Sequence, residues 1–199
     1  MSKPLSYDPA GRVMYLYGDV DFDQKMTGFI QEVLSEAGPG PLTVRVNSDG
    51  GSVTNGIAIA NLLSQRGGFT AIVDGLAASI MSYIVCCADR LVMAPDSWLM
   101  IHRPMGGSYG RSEEMRRQAD LLDKMEEQIV SRYVKKSGQP EDEIRSMMAE
   151  ETWISAEDAL RLGFADELLG QQAQPVPDLQ FVARRLRMKA AAQLERFRV

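Results

Sequence analysis

The chain has 199 residues, 45% apolar and 25% charged, with a formal net charge of −5 at pH 7, a size and composition that fit one compact core. No apolar run approaches the roughly 18–20 residues that span a bilayer, and the opening MSKPLSYDPAGR holds no apolar stretch of a secretory signal. Two adjacent cysteines, Cys86 and Cys87, cannot build a disulfide framework, and a single histidine, His102, removes most zinc sites. A cytoplasmic protein without a metal or other cofactor is therefore expected, and its acidity argues against nucleic acid as a partner. The charge is uneven. Residues 171–199 carry a net +4, leaving −9 on residues 1–170.

In chain order, residues 12–17 (RVMYLY) read as a strand closed by Gly18-Asp19. Residues 21–37 place Met26, Phe29, Ile30, Val33 and Leu34 at the spacing of an amphipathic helix, ended by Gly38-Pro39-Gly40-Pro41. A strand over 42–46, the turn 47–51, a helix over 53–65 and a strand over 69–73 follow, the last meeting a turn at Asp74-Gly75. A helix of small residues is predicted over 77–88, then short strands over 90–93 and 98–101. This alternation predicts α/β layers with largely parallel strands.

Beyond the glycine-bearing loop 104–110, a long helix is predicted over about Ser112–Ser137, with Ser112 as its N-cap and Glu113 and Glu114 in the first turn. Met115, Ala119, Leu122, Met125, Ile129 and Tyr133 form one stripe along it. That length exceeds what a small sheet covers, so the helix either protrudes to meet another subunit or lies along its own core. Pro140 opens a further helix, and Ser155 with Asp158 forms a capping pair for another. The segment 171–177 (QQAQPVP) reads as a linker.

Candidate chemistry sits at three junctions. The strand over 69–73 leads through Asp74-Gly75-Leu76-Ala77-Ala78 to Ser79 and directly into a helix. A helix start offers unpaired N–H groups and a positive partial charge, which suit a nucleophile. Ser79 reads either as that nucleophile or as a simple N-cap, with Ser82 a weaker candidate one turn on. A serine nucleophile needs a base, and His102, just after the strand WLMI, is the one histidine present. Together they are the minimum machinery for acyl transfer. The turn Asn47-Ser48-Asp49-Gly50-Gly51-Ser52 could present a bare Gly51 amide as part of an oxyanion hole, could cradle a phosphate, or could simply turn.

At these residues the chain resembles the Clp protease proteolytic subunit (ClpP) family, and most closely its phage and prophage branch. VNSDGGSVTNGIAI is similar to the family's INSPGG segment, and VDGLAASIMSYIVCCAD to the nucleophile segment around AAS. WLMIHRPMGGSYG is similar to the MIHxPxGG segment, and ETWISAEDALRLGFADEL to the segment that carries the acid. The resemblance runs from Arg12 to Leu169 in the family's order. It implies the ClpP/crotonase-like α/β fold with a protruding handle helix, Ser112–Ser137, through which two stacked rings meet. It implies Ser79 as nucleophile, His102 as general base, and Gly51 and Ile80 as oxyanion donors.

Three departures accompany the resemblance. The family's acid is usually Asp, whereas Glu151, with Glu150 beside it, stands before Thr152-Trp153. The segment ahead of Arg12 is short, and in housekeeping members it engages an ATP-driven unfoldase, so that partner is not expected. Asp49 also stands where the family commonly has Pro. The resulting division is a protease domain over 1–170 and a linker with a basic, helical tail over 171–199. The expected activity is serine endopeptidase cleavage of protein or peptide substrate inside a homo-oligomeric chamber, with capsid or scaffold protein cut during phage prohead maturation. The alternatives are an inactive ring-forming scaffold subunit and a CoA-thioester enzyme of the same superfold.

Overall fold

The computed structural model describes residues 5–170. The linker and basic tail expected over 171–199 lie outside the described residues.

Among the described residues, eight strands share one sheet. β1 (Leu5–Asp8) pairs antiparallel with β2 (Val13–Tyr17), and β3 (Thr43–Ser48), β4 (Thr70–Ala78), β5 (Arg90–Met93) and β8 (Glu167–Leu168) follow in parallel order. β6 (Trp98–Ile101) branches from the far end of β4, and β7 (Thr152–Ser155) pairs antiparallel with β6. The helices are α1 (Lys25–Ala37), α2 (Val53–Gln65), α3 (Ile80–Val85), α4 (Ser112–Ser137), α5 (Glu141–Ala149) and α6 (Ala156–Arg161).

The core follows the period-two alternation of the strands. Met14, Leu16, Val44, Val46, Ala71 and Val73 are fully buried, together with Ile30 of α1 and Ile59 and Leu63 of α2. The opposite face of the same strands is half-buried and carries a polar cluster. There Asp74 accepts hydrogen bonds from the Tyr17 hydroxyl at 2.7 Å and from Arg45 Nε at 2.9 Å. Burial and the neighbouring Asp74 push the Tyr17 hydroxyl above its ordinary range.

The turn expected at Asp74-Gly75 is not a turn. β4 continues through it to Ala78, and one residue of β3, Asn47, faces three of β4 between the pairs Val46↔Val73 and Ser48↔Ala77. The Asn47 side-chain oxygen accepts the Leu76 amide at 3.0 Å, so a side chain replaces the interrupted ladder. Gly75 permits this approach, because a Cβ there would lie 2.6 Å from that oxygen. The bulge turns β4 away from β5 and onto β6, which aims its end at the candidate site.

Other boundaries differ in detail. The helix expected from residue 21 begins at Lys25, after Gln24 in the left-handed conformation. The helix expected over 77–88 is α3 alone, because residues up to Ala78 belong to β4. Ser112 is the first residue of α4 rather than its N-cap, and the preceding Arg111 amide is held by the Glu114 carboxylate at 2.6 Å. Of the α4 stripe, Ile129 and Tyr133 are buried, as is the neighbouring Val130, whereas Met115 and Ala119 are exposed. The first half of α4 therefore stands clear of the chain's own core. Pro140 precedes α5, and Ser155 caps α6 by accepting the Asp158 amide at 3.2 Å, both as expected.

Candidate active site

Ser79 is the single residue between β4 and α3. Its backbone lies at φ 55°, ψ −128°, a region that costs a residue with a side chain about 1–3 kcal/mol and persists where surroundings enforce it. The enforcement is visible. The Ser79 amide donates to the Met100 carbonyl of β6 at 2.9 Å, and the Gly50 backbone presses against the turn. A Cβ on Gly50 would lie 2.7 Å from both the Ala78 oxygen and Ser79 Cβ.

The Ser79 hydroxyl makes no capping bond to α3, so the simple N-cap reading does not describe it. Ser79 Oγ instead lies 2.7 Å from His102 Nε2. His102 follows β6 directly, and β6 pairs beside the end of β4, so adjacent parallel strands deliver both side chains to the same sheet end. The imidazole is 12% exposed. A recess of about 10 Å³ beside the pair is lined by Val53, Ile80, Pro104, Ile129 and Tyr133, the size of one water.

On the other side of the ring, His102 Nδ1 lies 3.5 Å from Glu151 Oε2. Glu151 sits between α5 and β7 at φ 51° and is 56% exposed. Its carboxylate is half in solvent and half turned to the imidazole, from a residue in the left-handed backbone region. Glu150, the neighbour weighed with it, ends α5. A carboxylate at Nδ1 favours the tautomer whose Nε2 can accept a proton.

Gly51 bridges to Val20, using the Gly50 carbonyl and the Ser52 amide and leaving the Gly51 amide outside that ladder. Ile80 opens α3, so its amide has no intrahelical acceptor. Ser82 is unavailable as a nucleophile: it is fully buried and its hydroxyl donates to the Ser79 carbonyl at 2.6 Å. Cys86 and Cys87 lie just past α3, and burial raises both thiols, that of Cys87 up to about 11.

Two contacts of this site were not legible in the sequence. Tyr133 reads as one apolar position of the α4 stripe, yet its hydroxyl meets Ser82 Oγ at 2.8 Å. The Met100 carbonyl that anchors Ser79 is backbone and carries no residue-type signal. No cluster of three or more metal-ligating side chains occurs among the described residues, and none of their helices is long and apolar enough to cross a membrane.

A family model described as Clp protease matches residues 10–172. The chain is 31% identical over 163 residues to the ATP-dependent Clp protease proteolytic subunit 2 of Thermobifida fusca, covering 79% of this chain and 80% of that protein. It is 29% identical over 162 residues to the ATP-dependent Clp protease proteolytic subunit of Oltmannsiellopsis viridis, covering 79% and 83%. The subunit of the same name from Pleurastrum terricola is 35% identical over 126 residues, covering 62% and 64%.

Proposed function

The chain belongs to the Clp protease family, and from that premise we propose that it is a serine endopeptidase with Ser79 as nucleophile. The observation that carries this reading is the 2.7 Å contact between Ser79 Oγ and His102 Nε2, at a residue whose strained backbone holds the hydroxyl away from its own helix. Ser79 Oγ attacks the peptide carbonyl while His102 Nε2 takes its proton. Glu151 holds Nδ1–H and stabilises the imidazolium. The Gly51 and Ile80 amides receive the negative charge of the tetrahedral intermediate. His102 returns the proton to the departing amine, and water hydrolyses the acyl-enzyme by the same route in reverse.

Members of this family form oligomeric rings and act on protein substrates, and the exposed first half of α4 supports a ring contact made through that helix. The finer reading is prohead maturation in the host cytoplasm, with capsid or scaffold protein as substrate. It rests on the chain's resemblance to the phage and prophage branch of the family. The relatives above carry "ATP-dependent" in their names, whereas the hydrolysis proposed here needs no nucleotide.

The test is intact mass after fluorophosphonate treatment of the protein and of Ser79→Ala. One adduct, absent from the variant, is expected. An assembled, folded protein that takes no adduct would overturn the protease reading and favour an inactive ring-forming subunit. Incubation with candidate capsid and scaffold proteins then tests the finer reading through the cleavage sites mapped.

A further inference from the structure

We propose that Ser82 and Tyr133 are positioning residues that orient the Ser79–Ile80 peptide and thereby aim the Ile80 amide at the developing oxyanion. The inference rests on the serine-protease reading above and adds two residues to it.

The geometry begins at one carbonyl. The Ser79 oxygen accepts the Ser82 amide at 3.0 Å and the Ser82 hydroxyl at 2.6 Å, so one residue occupies both of its lone pairs. A peptide unit is planar, with its carbonyl and its following N–H pointing to opposite sides. Pinning the Ser79 oxygen therefore sets the direction of the Ile80 N–H across the same bond. At φ 55°, ψ −128° the local backbone alone would not hold this plane.

Proton accounting assigns the next link. A serine hydroxyl has one proton, and here it goes to a carbonyl, which can only accept. The 2.8 Å contact between Ser82 Oγ and Tyr133 OH is then made with the tyrosine as donor. Burial raises the Tyr133 hydroxyl well above its ordinary range, so it keeps that proton throughout the working pH range. A serine bonded to a carbonyl three residues back is a common local motif. A fully buried tyrosine from a different helix, spending its one hydroxyl on that serine, is not local. Phenylalanine would fill the same space, including the edge-to-face contact with Phe164 at 6.0 Å, without a polar atom to satisfy. Tyr133 lies at the buried end of α4 and its ring also lines the recess beside Ser79. The chain of contacts thus runs from α4 through two hydroxyls to the nucleophile's own peptide.

The experiment compares Ser82→Ala, Tyr133→Phe and the double variant with the unmodified protein, in fluorophosphonate acylation rate and in kcat and KM on a fluorogenic peptide. Ser82→Ala is expected to lower the acylation rate and kcat by about tenfold, and Tyr133→Phe by about threefold, with KM unchanged. The double variant loses no more than Ser82→Ala, because Tyr133 acts through Ser82. The pH dependence keeps its midpoint, since neither hydroxyl touches His102. Cys87→Ala, on the same stretch of chain but outside this relay, lowers thermal stability without changing the rate. Wild-type kcat in Ser82→Ala, or losses that multiply in the double variant, would overturn the inference while leaving the protease reading intact. Should Ser82→Ala fail to fold, Tyr133→Phe with an unchanged kcat would overturn it equally. An unmodified protein that takes no adduct would remove both.

Discussion

The two sides of the His102 ring are held by different kinds of structure. On the Nε2 side, Ser79 and His102 come from adjacent strands inside the sheet and meet at 2.7 Å. On the Nδ1 side, Glu151 comes from a link between α5 and the edge strand β7, is 56% exposed, and stops at 3.5 Å. The pairing of Leu76–Ala78 with Trp98–Met100, extended by the Ser79 amide on the Met100 carbonyl, fixes the first contact. The second depends on one strained residue in water, where a charge at that distance is well screened. The lesson is that the proton-transfer arm is built into the fold, while the orienting arm is attached to its surface.

The largest loss is expected from His102→Ala, about 10³-fold or more in kcat for peptide hydrolysis. Glu151→Gln is expected to cost only about 10- to 100-fold, because water takes over part of an exposed carboxylate's role. Glu151→Asp should fall in the same range, since the shorter side chain widens a gap that is already 3.5 Å. A Glu151→Gln loss as large as that of His102→Ala would show that the two arms are equally built in.

A smaller effect probes the turn that presses on the nucleophile. Gly51 lies at φ +138°, and an added Cβ would sit 2.3 Å from the Val20 carbonyl oxygen. Gly51→Ala is expected to lower stability by about 2–4 kcal/mol in denaturant unfolding. Smallest is the response of Cys87, whose thiol burial raises from 9.0 up to about 11. A raised thiol pKa contributes stability that is fully present below pH 9 and is lost as pH climbs toward 11. Iodoacetamide labelling at pH 8 should accordingly be slow in the folded protein and fast after unfolding.

Legibility followed locality. The helix over 53–65 is readable from its own periodicity and the Gly67-Gly68 stop, and the strands 90–93 and 98–101 from short apolar runs separated by Pro95-Asp96. β7 and β8 are not, since TWIS and EL offer no comparable apolar run and become strands only through β6 and β5. Asp74-Gly75 carries a strong turn signal, and what overrides it is the carboxamide of Asn47, distant in sequence. At the site, residue type and junction position nominate Ser79 and His102, whereas Ser82 reads as a rival nucleophile and the structure spends its hydroxyl on the Ser79 carbonyl.

The α/β alternation, the junctions where chemistry could sit and the scarcity of alternatives to His102 are written in composition and local pattern. Tertiary structure alone decided that β4 bends past Asp74-Gly75, that Ser79 stands at φ 55° within 2.7 Å of His102, and that Glu151 rather than Glu150 faces the ring. Those outcomes depend on distances between residues far apart in the chain. Such distances exist only once the sheet has paired and the core has closed.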